Sequence, residues 1–133
     1  MEIEYKETKD FTEKEIEELF LSVGWLSGKY PGRLIKALKS SSCVVTAWDG
    51  GKLVGLVRAL DDGEMVAFLH YLLVRPEYQG NGIAARLIGI MKEKYKDYLY
   101  LNIMPDEKQN VPFYQRLGFT LLENGAAMQI RHL

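Results

Sequence analysis

The segment from Val74 to Leu87 places small residues at the junction between a strand pattern and a helix pattern. Gly80, Gly82 and Ala84 fall within five positions, directly after an apolar run. A strand-to-helix turn of this kind leaves backbone N–H groups and the positive end of a helix dipole pointing outward. Glycines there let phosphate oxygens come within hydrogen-bond distance of the main chain. The segment therefore predicts a cradle for a pyrophosphate.

Three alternative roles for these glycines fit the spacing less well. A nucleotide P-loop, GxxxxGK[ST], needs a lysine that reaches the terminal phosphates, and the segment lacks it. A dinucleotide-binding GxGxxG motif would have its third glycine where this chain has Ala85, and it needs a parallel βαβ unit around it. A purely conformational role in a tight turn would account for one glycine, but not for three small residues at alternate positions. The residues alone therefore favour phosphate binding.

The flanking pattern indicates the elements that position this junction. Thr12 and Glu15 form a capping-box pair ahead of a helix over about residues 13–22, and Pro31 lies in the first turn of a second helix. The sequences DGGK and DDGE have the turn chemistry of antiparallel hairpins. A long helix follows the glycine junction, and a short one carries Pro112 in its first turn. Strands are predicted at residues 2–8, 43–49, 52–60, 65–74, 98–104, 119–122 and 126–130.

The fold predicted from these elements is a single α+β domain over residues 1–133. Its order is βααβββαβαββ, and its mixed, mostly antiparallel sheet is flanked by helices. The chain has 47% apolar and 26% charged residues, which is typical of a soluble globular domain. A formal net charge of −1 gives no reason to expect a nucleic-acid partner. No metal site is predicted.

The chain offers few signals of compartment. We expect neither a signal peptide nor a membrane span, because the N-terminal segment alternates charged and apolar residues. Cys43 is the single cysteine, so an internal disulfide is excluded and a reducing, cytoplasmic setting is expected. The thiol could be a nucleophile, but its position at the start of a strand pattern favours a buried, structural role.

Two motifs give the chain a resemblance to a known family. The segment VRPEYQGNGIA resembles motif A of the GNAT superfamily of acyl-CoA-dependent N-acetyltransferases, with Gln79, Gly82 and Ala84 at its defining positions. Residues 112–119, PFYQRLGF, resemble the family's motif B. The predicted order of elements is similar to that of the superfamily over essentially the whole chain.

The resemblance implies how acetyl-CoA, the acetyl donor, would be held. The backbone at the end of the fourth strand would pair with the pantetheine arm and polarise the thioester carbonyl. The glycine turn would bind the pyrophosphate through main-chain amides, and Arg86 would be a charged neighbour. In relatives the fourth and fifth strands splay apart to admit the cofactor. The implied cofactor-binding residues are Leu72, Leu73, Val74, Gln79, Gly80, Asn81, Gly82, Ile83, Ala84 and Ala85.

The resemblance also implies catalytic groups. Tyr114 occupies the position of the family's general acid, and a phenol with an unperturbed pKa near ~10 is protonated at neutral pH. The alternative is that Tyr114 is one more core aromatic. Many relatives carry a glutamate base on the fourth or fifth strand, but here the nearest polar candidates are His70 and Asn102. Deprotonation would then proceed through ordered water held by one of them, or the amine would need little help.

Two further positions concern the cofactor contact and the acceptor. Relatives often have an asparagine seven residues before the tyrosine, where this chain has Glu107 and the nearest asparagine is Asn110. This departure predicts a remodelled first turn of the short helix. Trp25 and Tyr30, in the loop between the first two helices, are candidates for holding a cationic or aromatic amine, although for Trp25 capping of the core between the helices is favoured.

The function expected from the resemblance is transfer of an acetyl group from acetyl-CoA to a primary amine of a small molecule. One alternative is a non-catalytic acyl-CoA sensor, because the strand carboxylate is missing. Another is acetylation of a protein or peptide. A homodimer is possible if a terminal strand such as residues 126–130 pairs across subunits.

Overall fold

A computed structural model describes all residues, 1–133, and divides them into two compact units, residues 1–103 and residues 104–133. The first unit contains a five-stranded sheet in the order β1-β2-β3-β4-β5. The first three pairings are antiparallel, and the pairing of β4 with β5 is parallel. The sheet is therefore mixed and mostly antiparallel, as predicted. The strands are β1 (Ile3–Glu7), β2 (Cys43–Asp49), β3 (Lys52–Asp61), β4 (Val66–Val74) and β5 (Tyr100–Ile103).

Three α-helices belong to the first unit: α1 (Glu13–Ser22), α2 (Pro31–Lys39) and α3 (Ile83–Lys94). The predicted capping box is confirmed at the start of α1, where the Thr12 side chain accepts from the Glu15 N–H and the Glu15 carboxylate accepts from the Thr12 N–H. Short 3-10 turns lie at Leu26–Lys29 and Pro76–Tyr78.

The helices cover the two faces of the sheet. Leu56 of β3 belongs to the core cluster of α1 and α2, whereas its neighbour Gly55 faces α3. Because successive strand residues point to opposite faces, α3 packs on the face opposite α1 and α2. A methyl group at Gly55 would lie 3.3 Å from the Leu73 carbonyl and 3.4 Å from Ile83, so glycine allows α3 to approach the sheet closely. This packing fixes the position of the α3 N-terminus.

Cys43 is buried in this core, as the structural interpretation of the sequence expects. Burial, reinforced by the nearby Glu7 carboxylate, raises the pKa of the Cys43 thiol to about 11. The thiol is therefore protonated at neutral pH and lacks the character of a nucleophile.

The second unit contains one helix, α4 (Val111–Arg116), preceded by a 3-10 turn at Lys108–Asn110. The prediction of strands at 119–122 and 126–130 is wrong, because neither segment forms a strand in the structure. The alternation of residue types in these two segments favours a strand. A strand also needs a ladder of hydrogen bonds to a neighbouring strand. Here the Gly125 N–H instead donates to the Leu122 carbonyl in a turn, and Leu122, Met128 and Ile130 are exposed.

The capping box gives the first prediction. Thr12→Ala removes the acceptor for the Glu15 N–H, so we expect the free energy of unfolding to fall by about 1 kcal/mol. Urea unfolding followed by circular dichroism measures this change. Thr120→Ala, at an exposed threonine, is the matched control and should leave stability within about 0.5 kcal/mol of the wild type. Equal stability of the two variants would contradict a stabilising role for the cap.

Candidate active site

The turn after β4 is held to the sheet by hydrogen bonds at its base. The Arg75 N–H donates to the Val54 carbonyl at 2.8 Å, and Arg75 Nε donates to the Leu53 carbonyl at 2.8 Å. Gln79 Nε2 donates to the Val74 carbonyl at 3.0 Å, which ties the far side of the turn to the end of β4. The predicted motif residue Gln79 therefore has a structural role as an anchor of the turn.

The outer part of the turn is braced by two further side chains. Asn81 Nδ2 donates to the Tyr78 carbonyl at 3.0 Å, and the Tyr78 hydroxyl donates to the Asp49 carboxylate at 2.5 Å. This hydrogen bond to Asp49 raises the pKa of Tyr78. The turn is thus fixed before any ligand binds.

Gly80 and Gly82 adopt backbone conformations that favour glycine. Their φ angles are +82° and +78°, in the left-handed region, and a methyl group at either position would have no heavy atom within 4 Å. Glycine is required here by conformation and not by crowding. The open space beside both residues leaves the main chain accessible to a ligand.

The first turn of α3 presents N–H groups outward. Gly82 is the N-cap of α3 and offers no side chain as a cap. The first helical hydrogen bond runs from the Arg86 N–H to the Gly82 carbonyl, so the N–H groups of residues 83–85 have no acceptor within the helix. Ile83 is buried beneath them and anchors the helix end, while Arg86 lies exposed over the Tyr5 ring. The segment has the geometry of an anion site.

β4 carries an irregularity just before this turn. Leu56 of β3 pairs with Leu73 and Arg58 pairs with His70, so two residues of β4, Tyr71 and Leu72, oppose the single residue Val57. Such a β-bulge bends the strand and interrupts the ladder. Tyr71 is the one residue other than glycine with a positive φ, +56°. Backbone strain of this kind costs of the order of 1–3 kcal/mol and clusters at functional sites.

The far side of β4 also lacks a strand partner near its end. β5 pairs with β4 only from Val66 to Leu69. From His70 to Val74 no strand pairs with the edge of β4 that faces away from β3. The parallel pairing with β5 is thus confined to the first part of β4.

Tyr71 is a site residue that sequence reasoning missed. Its hydroxyl shares a 2.7 Å hydrogen bond with Ser27 Oγ, and its ring packs edge-on against Phe20 with centroids 5.0 Å apart. The Trp25 ring lies 6.1 Å from it, and the His70 ring stacks on it at 3.9 Å. The predicted residues Trp25 and His70 are therefore brought together through Tyr71. No local pattern indicated this, because the bulge depends on pairing with β3.

His70 is exposed, and its ring is oriented by a neighbouring arginine. Arg58 Nε and Nη2 lie 3.1 Å and 2.8 Å from His70 Nδ1. A guanidinium group only donates hydrogen bonds, so Nδ1 accepts, and a neutral His70 ring carries its proton on Nε2. In this arrangement Nδ1 is not available to take a proton from an amine.

Two other predicted residues lie apart from this aromatic group. Asn102 is half-buried in β5, opposite Phe68 and on the same sheet face as His70. Tyr30 lies between the 3-10 turn and α2 with 43% of its surface exposed, and its ring takes no part in the contacts around Tyr71.

Tyr114 belongs to the second unit. Its half-buried ring packs edge-on against Phe113 at 5.0 Å and Phe119 at 5.9 Å. Burial, with a smaller contribution from the Asp106 carboxylate, raises the pKa of Tyr114 to about 12. Glu107 accepts a hydrogen bond from Gln109 in the 3-10 turn that precedes α4. Tyr114 is therefore a phenol that keeps its proton across the physiological range.

The sequence of the chain matches a known family along most of its length. The model of the Acetyltransferase (GNAT) family matches residues 6–119. The chain is 32% identical over 131 residues to the uncharacterized N-acetyltransferase ycf52 of Pyropia yezoensis, covering 88% of this chain and 72% of that protein.

Solved structures show the same fold. A GNAT-family acetyltransferase, SP0256 from Streptococcus pneumoniae TIGR4, is 27% identical, with a TM-score of 0.84 over 99% of this chain and all of that one. AAC(6')-Iy, solved with the bisubstrate analog CoA-S-monomethyl-acetylneamine, has a TM-score of 0.74 at 16% identity, over 98% of this chain and 99% of that one. The similarity of this chain to AAC(6')-Iy, at that identity, shows a common fold and no more.

The chain belongs to the GNAT acetyltransferase family, with the fold of that family. No helix has the length and apolar character needed to cross a membrane.

The glycine turn gives the second prediction. Gly80→Ala and Gly82→Ala force a side chain into the left-handed region, so each should cost about 1 kcal/mol of stability and shift the turn. We expect each to weaken acetyl-CoA binding, measured by calorimetry, at least tenfold. Gly89→Ala, in the interior of α3, is the matched control and should keep wild-type affinity while gaining up to about 1 kcal/mol of stability. Unchanged affinity in the Gly80 and Gly82 variants would contradict the assignment of the turn.

Proposed function

We propose that this chain transfers the acetyl group of acetyl-CoA to a primary amine of a small molecule by direct attack on the thioester. The observation that carries the proposal is the turn after β4, where two left-handed glycines lead into helix N–H groups that lack helical acceptors. Membership in the GNAT family supports acetyltransferase activity.

The residues that would hold acetyl-CoA fit its two recognisable parts. Main-chain N–H groups from Gly80 to Ala85 would bind the pyrophosphate, with the helix dipole of α3 behind them. The open backbone edge of Leu72, Leu73 and Val74 would pair with the amide groups of the pantetheine arm. Bound acetyl-CoA would supply the activated acyl group.

The catalytic roles follow from the state of each side chain. Tyr114 would donate a proton to the departing thiolate, since its raised pKa keeps the phenol protonated. His70 Nδ1 accepts from Arg58, so we propose that His70 orients a water or the acceptor by hydrogen bonding and does not itself take the amine proton. Asn102 would serve in the same way. Trp25 and Tyr30 would contact the acceptor.

The setting of the enzyme belongs to the same proposal. Residues 1–133 would act as one N-acetyltransferase domain in the cytoplasm, a location with which the single buried cysteine is compatible. A homodimer is also proposed, because β5 is an edge strand of the sheet and the exposed side chains of Met128 and Ile130 are apolar.

The direct experiment is calorimetric titration with acetyl-CoA, followed by measurement of free CoA thiol released in the presence of a panel of amines. Binding with amine-dependent thiol release is the expected result. Binding without release from any amine or peptide would support a non-catalytic sensor. No binding would overturn the proposal.

The third prediction concerns Tyr114. Tyr114→Phe removes only the hydroxyl, so kcat should fall about 100-fold or more while the calorimetric affinity for acetyl-CoA changes less than threefold. Phe113→Leu, beside it in α4, is the control for altered packing and should keep most of kcat. Equal losses of kcat and affinity in Tyr114→Phe would contradict the acid role.

The pH dependence of the wild type follows from the same pKa. Because burial raises the pKa of Tyr114 to about 12, its protonated form persists as pH rises. Loss of the Tyr114 proton should therefore cause no decline of kcat below about pH 11, one unit under that pKa, where about nine tenths of the phenol is still protonated. A descending limb near pH 10 that disappears in Tyr114→Phe would contradict this prediction.

A further inference from the structure

Arg58 is a half-buried cation without an acidic partner. It lies in β3, directly opposite His70 and next to the bulge of β4. None of the five ion pairs of the structure includes it; they join Lys6 to Glu4, Lys52 to Glu77, Arg75 to Glu18, Lys94 to Glu7 and Lys96 to Glu93. Charged groups are seldom removed from water unless they are paired. Arg58 is partly withdrawn from water and has no counter-charge within the protein.

The hydrogen-bond partners of Arg58 are a histidine nitrogen and a serine hydroxyl, and they leave part of the guanidinium unused. Two of its N–H groups are directed at His70 Nδ1, and a third, on Nη1, is directed at Ser41 Oγ at 3.4 Å. A guanidinium group has five N–H donors, so two are left without a protein acceptor. Burial lowers the pKa of Arg58, which reflects the cost of keeping this charge out of water. An anionic ligand would remove that cost.

The guanidinium group of Arg58 lies next to the aromatic group of Tyr71 and Trp25, and Trp25 is one of the residues proposed to contact the acceptor. Its Cζ lies 4.7 Å from the centre of the Tyr71 ring, over the residue that forms the bulge. The Trp25 ring belongs to the same aromatic group, and its centroid lies 6.1 Å from that of the Tyr71 ring. An acceptor seated against Trp25 and Tyr71 would thus have a fixed positive charge close to it.

We propose that Arg58 binds a carboxylate of the acceptor, and that the acceptor is a primary amine that also carries a carboxylate and an aromatic or apolar side chain. The inference rests on the proposed acetyltransferase function and names its substrate class. A guanidinium group matches the two oxygens of a carboxylate, and one positive charge balances one negative charge. The aromatic rings of Trp25 and Tyr71 suit the apolar part of such a molecule.

The same charge would assist the reaction. The carboxylate of the acceptor favours the protonated form of its own amine, and Arg58 would neutralise that carboxylate and so lower the pKa of the amine. The neutral amine is the form that attacks the thioester. Arg58 would therefore contribute to deprotonation in a chain that has no carboxylate base in β4 or β5.

The test compares amines that differ only in the carboxylate: phenylalanine with phenethylamine, and tryptophan with tryptamine. The quantity measured is the ratio of kcat/KM within each pair. We expect the wild type to favour the carboxylated member. Arg58→Gln should lower that ratio 10- to 100-fold, and Arg58→Lys should lower it less because it keeps the charge. Arg33→Gln, at an exposed arginine of α2, is the matched control and should keep the wild-type ratio.

A purely structural role for Arg58 would lower kcat/KM for both members equally and leave the ratio unchanged, which would overturn the inference. A wild-type preference for the decarboxylated amines would overturn it as well. Calorimetry with acetyl-CoA separates this failure from failure of the proposed function, because acetyl-CoA binding and transfer to phenethylamine would show the function intact.

A second readout does not depend on turnover. With CoA present, N-acetylphenylalanine should raise the Tm of the wild type more than N-acetylphenethylamine does, and Arg58→Gln should abolish the difference. Equal shifts from the two products in the wild type would contradict the inference.

Discussion

The candidate site depends on one extra residue in β4. Because Tyr71 and Leu72 together oppose Val57, the ladder between β3 and β4 is interrupted at the point where β4 also loses its β5 partner. The interruption holds Tyr71 at a positive φ, and the ring contacts of that side chain stabilise a conformation that tyrosine seldom adopts. The bulge therefore shapes both sides of the proposed reaction: the exposed strand edge for the cofactor and the aromatic group for the acceptor.

The glycine turn depends on this strand for its position. It begins directly after Val74 and is tied back to the sheet through Arg75 and Gln79. Gly55 lets α3 approach the sheet closely, which places the N-terminus of α3 beside the end of β4. The proposed anion site and the unpaired edge of β4 are therefore adjacent, as a ligand with a phosphate group joined to a peptide-like arm would require.

Electrostatics distinguishes the two halves of the proposed chemistry. Burial raises the pKa of Tyr114, so this group keeps its proton at neutral pH. On the acceptor side, Arg58 places a positive charge next to His70 and holds Nδ1 as an acceptor. The usual assignment of a histidine as base does not fit this arrangement, and a lowered amine pKa offers another route to the nucleophile.

Local signals in the sequence predicted the helices, the hairpins and the type of sheet, but not the register between the strands. The capping box at Thr12 and the turn at Gly80 and Gly82 are short-range features, so they could be recognised from spacing alone. The bulge at Tyr71 could not, because it arises from register with β3. The pairing of Arg58 with His70 joins residues 12 positions apart through that register. The alternation in residues 126–130 indicated a strand, but propensity without a ladder partner did not produce one.

The most direct test of the central claim is nuclear magnetic resonance of the protein labelled with ¹⁵N-glycine, titrated with CoA. The amide signals of Gly80 and Gly82 should shift on binding, because their N–H groups are proposed to contact the pyrophosphate. The signal of Gly63 should not shift, because Gly63 lies in the turn between β3 and β4, at the other end of β4 from the glycine turn. Binding of CoA that leaves the signals of Gly80 and Gly82 unmoved would contradict the proposed pyrophosphate site.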